Sequence, residues 1–188
     1  MKRIILAVLT VYALGLALAV RAQAPADDGP RYNGTSLVRP DYREWIFLGA
    51  GLGMTYQTTP SQSPAFTNVF VNPTAYRSFL QTGRWPDRTV LLVEVRASAS
   101  ERSINQSGRY QTNQVALEGH VKDARLGGDG WGFFNLSRGA EGPRLTGDAV
   151  SGCVDCHTKN AAVDTTFVQF YPTLLDVARQ KGTAKAGF

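Results

Sequence analysis

The strongest constraint in this chain is five residues long: Cys153-Val154-Asp155-Cys156-His157. It holds both cysteines of a 188-residue sequence and one of its two histidines. Two thiols three positions apart can each add to a vinyl group along one edge of a porphyrin, which leaves the adjacent imidazole beneath the iron as its proximal ligand. The spacing therefore predicts one covalently bound haem c, with Cys153 and Cys156 as attachment points and His157 on the metal. Two other chemistries use similar spacings. A thioredoxin-type pair sits early in a strand–helix unit, whereas this one follows a glycine-rich loop near the C-terminus. A structural zinc needs four ligands, and beyond these three only His120 or a carboxylate is left.

The N-terminus places that motif in a compartment. Lys2 and Arg3 precede an apolar run from Ile4 to Val20, followed by the small-residue sites Val20-Arg21-Ala22 and Ala22-Gln23-Ala24. A basic head, an apolar core and a peptidase site form a secretory signal. At about 17 residues the run is at the short limit for a membrane span. Cleavage after Ala22 is expected, because cutting after Ala24 would put Pro25 at the new terminus. The mature protein is then periplasmic or otherwise exported. Removing residues 1–22 deletes Lys2, Arg3 and Arg21 and no acid, so the net charge of +5 falls to +2, with 17 basic and 15 acidic side chains. Those basic residues are scattered, which argues against a nucleic-acid partner.

The remaining chain reads as α+β: one antiparallel sheet with flanking helices in a single domain. Strands are expected at Trp45–Ala50, Phe66–Val71, Thr89–Val95, Gln111–Val121 and Trp131–Leu136, from aromatic and β-branched runs and from a period of two. The polar stretches 96–108 and 137–148 read as loops. Asn72 followed by Pro73 predicts a helix that Gly83 ends, and a second helix starts near Pro172 with Gly182 as terminator. A short helical turn is expected at Pro40–Glu44. Residues 23–35 read as a flexible lead-in, 36–182 as the folded haem domain and 183–188 as a frayed tail.

Four stretches together resemble a known family. They are Tyr42-Arg43-Glu44-Trp45; Val69-Phe70-Val71-Asn72-Pro73 with Tyr76, Thr82-Gly83 and the strand after Thr89; Ala116-Leu117-Glu118-Gly119-His120-Val121-Lys122-Asp123 with Trp131-Gly132-Phe133-Phe134; and the haem motif with Asp164 and Phe170-Tyr171-Pro172. Over roughly residues 40 to 176 the chain is similar to cytochrome P-460 and its non-enzymatic relative cytochrome c′-beta. The resemblance implies a mostly antiparallel β fold, a homodimer, and one haem c with five-coordinate iron. It also implies a lysine cross-linked to the porphyrin in the hydroxylamine-oxidising members, at a position that aligns with Val93. The mature chain has only Lys122, Lys159, Lys181 and Lys185, none on that strand. The cross-link is therefore expected to be absent, as in cytochrome c′-beta, which binds nitric oxide and carbon monoxide beneath an aromatic cap.

Glu118 aligns with the carboxylate assigned as proton relay in the enzymes; on residue pattern alone it lies on the polar face of its strand, beside His120 and Lys122. The sixth iron position has two strong-field candidates, Met54 and His120. Methionine beside glycines is commonly a core filler, and a lone strand histidine is commonly structural. The expectation is five-coordinate iron with a distal pocket drawn from Phe66, Phe70, Val93, His120 and Trp131. Three functions follow: a binder of small diatomic or nitrogen-oxide ligands, an oxidoreductase acting on hydroxylamine with Glu118 as proton acceptor, or a six-coordinate electron shuttle with a redox partner protein.

Overall fold

The computed structural model describes residues 27–100 and 102–188; the expected leader over residues 1–22 lies outside them. The elements run β1 (Tyr32–Asn33), β2 (Ser36–Val38), β3 (Ile46–Leu52), β4 (Phe66–Val71), α1 (Pro73–Thr82), β5 (Thr89–Ala99), β6 (Tyr110–Lys122), β7 (Trp131–Asn135), β8 (Glu141–Pro143), α2 (Asp148–Asn160) and α3 (Pro172–Gln180). The α+β class holds, with a correction to the count of sheets. A five-stranded antiparallel sheet, β3-β4-β5-β6-β7, is joined by a small three-stranded one, β1-β2-β8.

The sequence Thr89-Val90-Leu91-Leu92-Val93-Glu94-Val95 explains the centre of the larger sheet. It is apolar on both faces, and a strand of that kind must be covered on both. One face carries Val90 and Leu92 into a cluster with Leu37, Tyr42, Leu117, Val121, Phe134 and Leu136. The other carries Leu91 into a cluster with Leu48, Val71, Phe79, Trp85, Leu174 and Ala178, which brings in both α1 and α3. Phe79 and Trp85, buried to 0% and 1% exposure, meet at ring centroids 4.3 Å apart. Each such side chain contributes roughly 2–3 kcal/mol of burial.

The small sheet was not visible as strands. Its members have two or three residues, too short for an alternating pattern. β8 lies inside the stretch expected to be a loop, and Gly142 is required there because a Cβ would overlap the carbonyl oxygen of Asn135. β5 also runs four residues beyond Val95, through bulges at Val95–Arg96 and Arg96–Ser98.

Both ends of the domain are fastened. α1 begins at Pro73 and stops at Gly83, whose φ of 70° suits glycine. Asn72 occupies the cap position, yet its side chain does not cap the helix. Its Oδ1 accepts from the Val90 amide at 2.8 Å, and its Nδ2 donates to Asp28 and to the Arg88 carbonyl. The free amide of Thr74 is met instead by Asp28, at 2.8 Å. Within the segment expected as a flexible lead-in, the described residues 27–35 are anchored by Asp28 and enter the small sheet at Tyr32. The tail is latched as well: Thr183 Oγ1 donates to the Gly83 carbonyl and Lys185 N to that of Ala162.

Candidate haem site

Helix α2 carries the motif, and its burial pattern is unusual. None of its 13 residues is fully buried. Its sheltered stripe consists of Val150, Cys153, Cys156 and His157, all half-buried at helical spacing. A helix of this length needs tertiary packing to be stable in water, and here the inward stripe is one valine, two cysteines and an imidazole. Cys153 and Cys156 are not joined in a disulfide. Among the described residues no group of three or more His, Cys, Asp or Glu side chains is arranged to hold a metal ion. Two cysteines three apart with an imidazole beside them fit a porphyrin edge.

His157 is oriented for that task. Its Nδ1 lies 2.7 Å from the carbonyl oxygen of Thr165. A carbonyl only accepts, so the proton sits on Nδ1 and Nε2 is left with its lone pair free for a metal. Burial pushes the ring's pKa down, partly opposed by that hydrogen bond, which keeps it neutral as a ligand must be. The accepting turn is strained: Asp164 and Thr165 have φ of 45° and 58°. For a β-branched residue such as Thr165 this conformation costs on the order of 1–3 kcal/mol.

The sheet beneath is read in cross-strand rows, because directly opposed residues share a face. One row is Val71, Leu91, His120 and Phe133; the next is Val69, Val93, Glu118 and Asn135. His157 rests on the first row, with ring centroids 4.8 Å from His120 and 4.9 Å from Phe133. Phe167 covers it from another side at 4.5 Å. Trp131 stands behind His120, centroids 4.3 Å apart.

The expected pocket residues separate by parity. Val93 and Glu118 share the His157 face, one row (about 7 Å) from His120. Glu118 is exposed and Val93 half-buried. Phe66 and Phe70 point through the face opposite His157, where Phe70 packs on Tyr42 and Phe47 at 5.3 and 5.6 Å. His120 and Trp131 are on the right face, but they flank His157 rather than stand opposite it. His120 is buried, its pKa is held well below the ordinary value by burial and by His157, and its Nε2 has no partner. Contact with the His157 ring leaves no room between the two for an iron with metal–nitrogen bonds of about 2 Å.

Met54 is also placed. Its thioether lies over Gly51, in the space a Cβ would fill, with Thr67 Oγ1 at 3.8 Å. Thr67 belongs to the row of Val95, two rows or about 13 Å from that of His120. Thr165, Phe133 and Phe167 stand against His157 without any signal in the sequence.

A helix that presents two cysteines and an oriented imidazole over an antiparallel sheet fits a haem-binding cytochrome. The chain belongs to the cytochrome P460 family, whose model matches residues 39–168. No curated protein matches it. Family membership carries the haem cofactor; α2 and His157 show where this chain would hold it.

Proposed function

We propose that this chain is an exported monohaem cytochrome of c type, joined to one haem through Cys153 and Cys156, with His157 as the single axial ligand from the protein. In this reading the sixth position is open and takes small ligands such as nitric oxide or carbon monoxide. The observation that carries it is the placement of the two other strong-field side chains: His120 packs on His157 itself, and the Met54 thioether rests two rows away. A bound haem supplies an iron centre able to take a diatomic ligand or exchange an electron. The protein orients the imidazole through Thr165, keeps it neutral by burial, and offers Val93 and Glu118 on the same face. A homodimer and a periplasmic location complete the reading.

The test is expression of the full chain beside a working haem-ligation system. The expected product has the mass of the mature polypeptide plus one haem, with no lysine joined to the porphyrin. Its reduced absorption spectrum shifts at once on addition of carbon monoxide, and Met54→Ala leaves that shift unchanged. Colourless protein, or a low-spin spectrum indifferent to carbon monoxide, overturns the proposal.

The position of Glu118 favours a second reading. An exposed carboxylate one row from His120 could take protons from a nitrogen substrate. Hydroxylamine turnover with an artificial electron acceptor, abolished in Glu118→Ala, would establish an oxidoreductase instead of a ligand carrier.

A further inference from the structure

The carbonyl that receives the His157 proton belongs to a turn the chain would not adopt unaided. Asp164 and Thr165 are consecutive residues in the left-handed region. Aspartate tolerates that conformation through its short polar side chain; threonine does not. Something outside the turn must therefore impose it, and the contacts identify what does. Asp164 Oδ1 accepts from Arg84 Nη1 at 3.2 Å, and Oδ2 from the main-chain amide of Trp85 at 3.2 Å. Lys122 Nζ stands 3.8 Å from the same Oδ2. The indole of Trp85 donates to Thr166 Oγ1 at 2.8 Å, and that hydroxyl donates in turn to the Val163 carbonyl at 2.6 Å. Both ends of the 163–166 turn are thus tied to the connection between α1 and β5, about 80 residues away in sequence.

We propose that Asp164 is a positioning residue for the haem iron: by fixing the turn on Arg84 and Trp85 it holds the Thr165 carbonyl against His157 Nδ1, and so sets how strongly Nε2 donates to the metal. The proposal rests on the reading of His157 as axial ligand. A hydrogen bond from Nδ1–H to a fixed acceptor gives the ring partial imidazolate character, which strengthens the bond to iron and favours the oxidised state. Slackening the clamp weakens that bond and raises the reduction potential.

The test uses the haem-loaded full chain. Two readouts are taken: the iron–histidine stretching frequency of the reduced protein, by resonance Raman, and the midpoint potential. Asp164→Ala removes both acceptors and the tolerance for positive φ; it is expected to lower the frequency and raise the potential. Asp164→Asn keeps that tolerance and one acceptor for the Trp85 amide, and is expected to restore most of both values. Arg84→Gln, at a side chain 60% exposed, is expected to shift both in the same direction by less, with the fold intact. If Asp164→Ala does not fold, Arg84→Gln carries the decision. Variants that lower the melting temperature but move neither readout overturn the proposal, because Asp164 is then only a structural clamp. A parent protein without haem sinks the axial-ligand reading and this proposal with it; a coloured parent with unshifted variants sinks this proposal alone.

Discussion

The imidazole of His120 lies flat on the ring of Phe133, centroids 4.2 Å apart and planes 6° from parallel, while its Nε2 has no hydrogen-bond partner. A buried polar atom without a partner costs about 1–3 kcal/mol. Phenylalanine keeps the stack and removes the orphan. His120→Phe is therefore expected to raise stability by about 1 kcal/mol at pH 7, read as the urea midpoint. The sign of its pH dependence follows from burial, which lowers the folded-state pKa. The unfolded chain then binds the proton more readily, so wild-type stability falls as pH drops below about 6.5. Between pH 7 and 5 the variant should lose less stability than the parent; parallel curves would refute the assignment.

On the far face of the sheet, Glu94 is 2% exposed and accepts from Arg43, Arg96, Tyr42 and Asn68. Desolvation works against these partners, yet their hydrogen bonds prevail and its pKa is lowered to about 2. The folded value lies below the unfolded one, so the stabilisation is full above about pH 4.5 and is lost as pH falls toward 2. It amounts to about 3 kcal/mol. Glu94→Gln should flatten the acid limb of the stability curve and leave the absorption spectrum of the bound haem unaltered.

Strand parity gives a paired prediction for the aromatic and aliphatic positions. Phe70 packs with Tyr42 and Phe47, away from His157. Phe70→Ala should cost about 2–3 kcal/mol without changing the carbon monoxide difference spectrum. Val93→Phe, on the His157 face, should slow carbon monoxide binding in flash photolysis with little loss of stability. The reverse pattern would mean the haem lies on the other side of the sheet.

Gly142 is the position where β8 crosses the end of β7. A methyl group there meets a backbone carbonyl that cannot swing aside. Gly142→Ala should destabilise the protein by 2 kcal/mol or more, measured by thermal unfolding, and should loosen β1 and β2 in hydrogen exchange.

What the sequence revealed followed the strength of local signals. β4 and α1 were legible to the residue, because Asn72-Pro73 and Gly83 mark a boundary that few other conformations accept. α2 carries the most informative motif in the chain yet gives no helical signal of its own. Of its sheltered positions only Val150 is a conventional core residue, the others being Cys153, Cys156 and His157, so no wide apolar stripe marks the helical period. The face that Phe66 and Phe70 share is not legible either, because a strand apolar on both faces does not say which one the motif helix covers. The Thr165 carbonyl was invisible for a different reason: a main-chain acceptor leaves no trace in residue type, and the strained threonine that supplies it reads as an ordinary polar position.

Neither Val93 nor Glu118 belongs to either cluster of buried side chains, although both stand on the sheet face that receives His157. Substitutions at this pair can retune the surroundings of the iron at small energetic cost, because the framework that supports them is secured elsewhere. What that face presents can in this way change while the folding of the sheet beneath it remains untouched.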